Sequence, residues 1–145
     1  MLKEIKTDTR HYFVDDQNRK QGEYKSYYDD GQLWGHAFYL NDKRHGEYKY
    51  YRSNGQLFEQ SFYINGKHHG EYKSYHINGE LEIHCFYQNS CLHGEYNSYY
   101  YNGKTNFATF FYQGKDLNVD LNSLTEKDKA YIMLSGRLPP KEPSC

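Results

Sequence analysis

The feature that most restricts this chain is a repeat: four consecutive units of 24 residues run from Gly22 to Leu117 without insertion or deletion. They read GEYKSYYDDGQLWGHAFYLNDKRH, GEYKYYRSNGQLFEQSFYINGKHH, GEYKSYHINGELEIHCFYQNSCLH and GEYNSYYYNGKTNFATFFYQGKDL. Each opens on Gly-Glu-Tyr. Each also carries a second Tyr (Tyr27, Tyr51, Tyr75, Tyr99), a central Gly (Gly31, Gly55, Gly79, Gly103) and a Phe (Phe38, Phe62, Phe86, Phe110). A degraded half-unit, HYFVDDQNRKQ, precedes them at 11–21. A fixed period of this size copies one supersecondary piece, and each copy buries its apolar side against its neighbours.

Each unit reads as a β-hairpin. A Tyr-rich run is followed by Asp-Asp-Gly, Ser-Asn-Gly, Ile-Asn-Gly or Tyr-Asn-Gly, and Asn-Gly is a strong short-range hairpin signal because both residues tolerate positive φ. A second strand such as QLWGHAFYL ends in Asn-Asp, Asn-Gly, Asn-Ser or Gln-Gly, which turns the chain into the next unit. The product is a meandering antiparallel sheet of about nine strands in single file. Ala37, Ser61, Cys85 and Thr109 share one register before the Phe. Four chemistries of one size mark a steric position squeezed by aromatics. Tyr24 and Tyr27, three apart, fall on opposite faces of a regular pleat.

Composition supports a single layer. The 27 aromatics (18 Tyr, 8 Phe, 1 Trp) outnumber 23 aliphatics, and mean hydropathy is -1.11. Ladders of Tyr and Phe between hairpins hold such a sheet with few aliphatics. No stretch approaches the roughly 18 apolar residues of a membrane span. The net charge of -1 offers no basic excess for nucleic acid. Cys85, Cys91 and Cys145 form no CxxC pair, and MLKEIKTDTR has no apolar leader, so a cytoplasmic location is expected.

The last 28 residues leave the repeat. Ser123 and Glu126 have capping-box spacing and Gly136 is placed as a stop, which predicts a helix near 125–135. Ile132 and Leu134, with Leu121 or Leu124, are expected to cover the open end of the sheet, ahead of a flexible tail. The fold class is thus all-β: an elongated single-layer sheet of stacked hairpins with a short C-terminal capping helix. Residues 1–10 read as a tail, 11–117 as the repeat domain (half-unit 11–21, units 22–45, 46–69, 70–93 and 94–117), and 118–145 as cap and tail.

The unit G-E-Y-x-x-Y-x-x-N-G-x-L followed by N-G-K-x-H-G resembles the MORN repeat, and its spacing is similar to the MORN variant of bacterial and large-DNA-virus proteins. The resemblance covers about 22–117. It implies a twisted hairpin solenoid and a role in membrane association, dimerisation or scaffolding; some bacterial relatives are antitoxins. The third unit departs at Ser90-Cys91-Leu92 and the fourth at Asp116-Leu117, so turn basicity fades toward the C-terminus.

The expected function is a non-enzymatic scaffold that binds a protein partner, or itself, through the sheet surface. Binding to acidic phospholipid, which would make the protein membrane-peripheral, and antitoxin-like capture of a toxin are the alternatives. No hydrolase, metalloprotease or nucleotide motif occurs, and no cofactor is expected. Trp34 and Phe58 share a variable position and form a candidate hot spot. Lys43, Arg44, Lys67, His68 and His69 make the most basic turn region, the first place to seek an acidic partner or headgroup. The recurring His45, His69 and His93 lie two strands apart, about 10 Å, too far to share a metal. Their protonation with the other five histidines would take the charge from -1 to +7, a second route to anionic membranes. Glu23, Glu47, Glu71 and Glu95 read with Lys25, Lys49 and Lys73 as a solvated face of charge stripes.

Overall fold

A computed structural model describes residues 1–140; the tail expected beyond them, with Cys145, lies outside the described residues. One open antiparallel sheet of 13 strands carries the chain. It begins with β1 (Lys3–Lys6) and β2 (Arg10–Val14), Ile5 opposite Tyr12. There follow β3 (Lys20–Tyr27), β4 (Leu33–Leu40), β5 (Lys43–Arg44), β6 (Gly46–Tyr51) and β7 (Leu57–Ile64). Next come β8 (Lys67–His68), β9 (Gly70–Tyr75), β10 (Leu81–Gln88), β11 (Cys91–Tyr99), β12 (Thr105–Tyr112) and β13 (Lys115–Asp116). Neighbours in the sheet follow chain order, as stacked hairpins require. The count exceeds nine because His45 and His69 each interrupt one strand, β13 adds a short closing rung, and β1 forms where a tail was expected. Lys3–Lys6 is held by its ladder to β2, since KEIK offers one apolar residue of its own.

The two turns of a unit solve different problems. Asn41-Asp42, Asn65-Gly66, Asn89-Ser90 and Gln113-Gly114 have positive φ at both residues, which matches the right-handed strand twist. In the other turn only the glycine is left-handed, at φ +87 for Gly31 and +85 for Gly55. There the Gly31 N–H donates to Tyr28 O, and the Tyr28 N–H to Gln32 O, a three-residue loop closed by a glycine bulge. The Asp or Asn before the glycine is needed for its side chain, not for positive φ. Asp30, Asn54, Asn78 and Asn102 each accept the N–H two residues on, at 3.0–3.1 Å.

Neighbouring units are tied at both rims of the sheet. On one rim Tyr28 Oη, Arg52 Nη2 and His76 Nε2 bond the carbonyls of Tyr51, Tyr75 and Tyr99, at 2.8, 2.9 and 2.8 Å. On the other, the N–H groups of Asp42, Gly66, Ser90 and Gly114 donate to the carbonyls of Lys20, Arg44, His68 and Leu92. The predicted steric column is real. Ala37, Ser61, Cys85 and Thr109 sit opposite Tyr24, Tyr48, Tyr72 and Tyr96, and all four are buried.

The helix α1 spans Glu126–Ser135, but Thr125 is its cap rather than Ser123. The Thr125 hydroxyl accepts from the Asp128 N–H at 3.1 Å, and the Asp128 carboxylate accepts the Thr125 N–H at 2.8 Å. Ser123 is already committed to a 3-10 turn, Leu121–Ser123, where its hydroxyl donates to Asp120 O. Gly136 ends the helix at φ +67, as expected. The helix lies on one face of the last unit instead of across the open edge. Ile132 and Leu121 bury Phe110 there, whereas Leu134 points away and is 88% exposed.

Candidate interaction surface

Alternation sorts the side chains onto two faces of different chemistry. One face is aromatic. Tyr12, Tyr24 and Tyr39 follow one another at ring separations of 5.2 and 5.3 Å. Further along, Tyr48, Tyr63, His68 and Tyr87 continue at 6.0, 4.2 and 4.9 Å. Arg44 lies between these runs, its guanidinium 4.5 Å over Tyr48 and 5.3 Å from Tyr63. Tyr63 Oη and His68 Nε2 are hydrogen-bonded at 2.7 Å.

Burial governs the chemistry here. It pushes the Cys85 thiol up to about 12, which keeps it protonated and unreactive. It pushes the Tyr87 hydroxyl up to about 12 and raises the Glu59 carboxyl. His68 is shifted down, first by burial and then by the Arg44 charge. A histidine lowered in the folded chain takes its proton first when unfolded, near pH 6.5, so its contribution to stability is lost as pH falls below that value. Glu59, raised instead, works the other way, contributing stability that is lost as pH rises above about 4.5. The fall in urea midpoint between pH 7.5 and 5.5 is therefore expected to shrink in His68→Gln. An unchanged fall would assign it to the other seven histidines.

Trp34 and Phe58 lie on this aromatic face, at one structural position. The ladder shifts register between Ser26 and Tyr27 and between Tyr50 and Tyr51, so Trp34 and Phe58 are the extra residues of β-bulges. They do not touch as a pair. Tyr50 stands between them, 5.7 Å from Trp34 and 5.6 Å from Phe58. The Arg52 guanidinium covers Phe58 at 4.3 Å. A shallow cavity of about 410 Å³ opens beside them, lined by Tyr28, Tyr50, Arg52, Phe58 and Ile77. Trp34 is 42% and Ile77 60% exposed. Tyr50 escaped the sequence reading although a signal existed: the other units have Ser26, Ser74 and Ser98 at its place.

The basic turn region does not form one patch. Lys43 and Lys67 are exposed on the rim, Arg44 and His68 enter the aromatic face, and His69 borders a groove on the opposite face. Adjacent residues of a strand point to opposite sides, which divides Arg44 from Lys43 and His68 from Lys67, while His69 lies in the break between β8 and β9. The turn histidines act on the backbone: His45 Nδ1 accepts the Asn65 N–H at 3.3 Å and His93 Nδ1 the Gln113 N–H at 3.0 Å.

The opposite face is charged. Lys25, Lys49 and Lys73 pair with Glu23, Glu47 and Glu71 at 2.6, 3.0 and 3.2 Å, over the row of Phe38, Phe62 and Phe86. In the fourth unit Asn97 replaces the Lys, and Lys129 of α1 reaches Glu95 at 2.7 Å instead.

Comparison with known families agrees with this architecture. The family model of the MORN repeat variant matches residues 20–41, 44–65 and 69–89, the hairpins of the first three units. No curated protein matches the chain. Among the described residues no helix is long and apolar enough to cross a membrane, and no group of three His, Cys, Asp or Glu is placed to hold a metal ion.

Proposed function

Because this chain is a MORN repeat protein of the variant type, we propose that it is a non-catalytic scaffold that binds another protein through its aromatic face. The observation that carries this reading is the cluster of exposed Trp34 with half-buried Tyr50, Phe58 and Arg52, held on a rigid sheet by two β-bulges. Trp, Tyr and Arg dominate interface hot spots because they bury much area at little entropic cost. The cavity beside them is shallow, which suits a protein surface better than a small substrate. Acidic lipid gains less support, since the cations of the basic turns are divided between rim and faces.

Immobilised full-length protein and the Trp34→Ala/Phe58→Ala variant, both confirmed folded by circular dichroism, provide the test. At physiological salt the wild type is expected to retain a defined set of proteins that the variant loses. Each truncated anchor weakens binding by about 2 kcal/mol, or roughly 30-fold. Neither form is expected to sediment with vesicles containing phosphatidylserine or phosphoinositide. Wild-type protein that pellets with those vesicles and captures no protein would reverse the assignment.

A further inference from the structure

On the charged face, far from the Trp34 cluster, α1 begins a helical layer that the chain leaves unfinished. Ile132 is fully buried against Phe110, but beside the helix runs an open groove of about 700 Å³, floored by Phe86 and walled by Ala130 and Met133. Phe86 is the counterpart of Phe110 one unit earlier, and one unit is two strands, about 10 Å. Packed helices have axes about 8–10 Å apart. The groove therefore has room for one more helix, laid alongside α1.

We infer that the occupant is α1 of a second copy of this chain, antiparallel to the first across a two-fold axis. The helix pair forms a layer between two sheets that meet by their charged faces. The same chain carries both the groove and what fills it. Ala130 and Met133, three residues apart, share the groove side of α1, so an antiparallel copy sets the small side chain of each helix against the large one of the other. Leu134 stands about 200° around the helix from Ile132, is 88% exposed, and meets Phe86 of the other copy. The charges agree with this direction. Glu126, its side chain 91% exposed, stands at the N-terminal end of α1, and exposed Arg137 just past the other end makes no ion pair among the described residues. Antiparallel pairing brings each Arg137 end beside a Glu126 end. Glu71, beside the groove, already has Lys73 at 3.2 Å and His84 at 3.0 Å, and Glu95 on the groove wall has Lys129 at 2.7 Å, so neither carboxylate needs a cation from the incoming helix. A net charge of -1 sets up no repulsion between copies.

Sedimentation velocity of the full chain tests this, with reductant present because Cys91 is exposed. The wild type is expected to dimerise at micromolar concentration. Leu134→Glu and Met133→Glu should each raise the dissociation constant at least ~30-fold, with unchanged circular dichroism because both side chains face solvent in the monomer. Arg137→Glu should weaken the dimer, and adding Glu126→Arg should restore it. The Trp34→Ala/Phe58→Ala variant should dimerise like the wild type, so this inference and the partner-binding role fail separately. A wild type that stays monomeric throughout, or a dimer indifferent to both helix variants, would overturn the inference. Loss without rescue by the charge exchange would overturn the antiparallel arrangement.

Discussion

Phe110→Ala is expected to lower the unfolding free energy by about 3–5 kcal/mol in urea titrations, the range for a large buried aromatic. Phe110 is 1% exposed and packs with Leu121 and Ile132, flanked by Ala108, Leu117, Val119 and Leu124. It is the point at which the cap grips the sheet. Its removal leaves a cavity and also loosens α1, which buries only Ile132 of its own residues. The same substitution at Phe86, which no helix covers and which is half-buried, is expected to cost less than half as much. Equal losses at the two positions would show that the helix contributes nothing to the burial.

Ser61→Leu is the second large effect. Ser61 is fully buried opposite Tyr48, its hydroxyl donating to Glu59 Oε1 at 3.3 Å, in the column that elsewhere holds Ala37, Cys85 and Thr109. The larger side chain, two heavy atoms more than serine, has no room beside the Tyr48 ring, and overpacking of this kind costs about 1–3 kcal/mol. Ser61→Thr and Ser61→Cys, each a residue the column already accepts, should stay within about 1 kcal/mol of the wild type. Comparable urea midpoints for Ser61→Leu and Ser61→Thr would refute the steric account of this column.

The repeat made much of this molecule legible. Turn positions, the small-residue column and the Glu–Lys stripes follow from a period of 24 laid over a pleat of two. What escaped has physical causes. Lys3–Lys6 becomes a strand through hydrogen bonds to an edge it did not specify itself. The run Tyr131, Ile132, Met133, Leu134 has no gaps, so nothing local decides which of the four turns inward; contact with Phe110 selects Ile132. At the candidate surface, Trp34 and Phe58 were visible as an aromatic pair at one position. Their separation by Tyr50 depends on a register shift between strands, and pairing irregularities of that sort leave no trace in a linear pattern. The five basic residues were grouped by nearness along the chain, which the alternation of the strand then undid.

The exchange of Lys73 in the third unit for Asn97 in the fourth has a consequence for how such a chain changes length. The first three units keep their own cation beside each Glu, whereas the fourth lacks it and receives Lys129 from α1. The terminator is therefore written in the last unit and its helix alone. An extra copy of the second unit, inserted ahead of the third, would keep the second unit's present ties to the third, take Arg52 and Phe58 of the original copy where Tyr28 and Trp34 now stand on its other side, and leave the end undisturbed. The molecule is built like a ruler whose stop is fixed and whose scale can be extended by duplication.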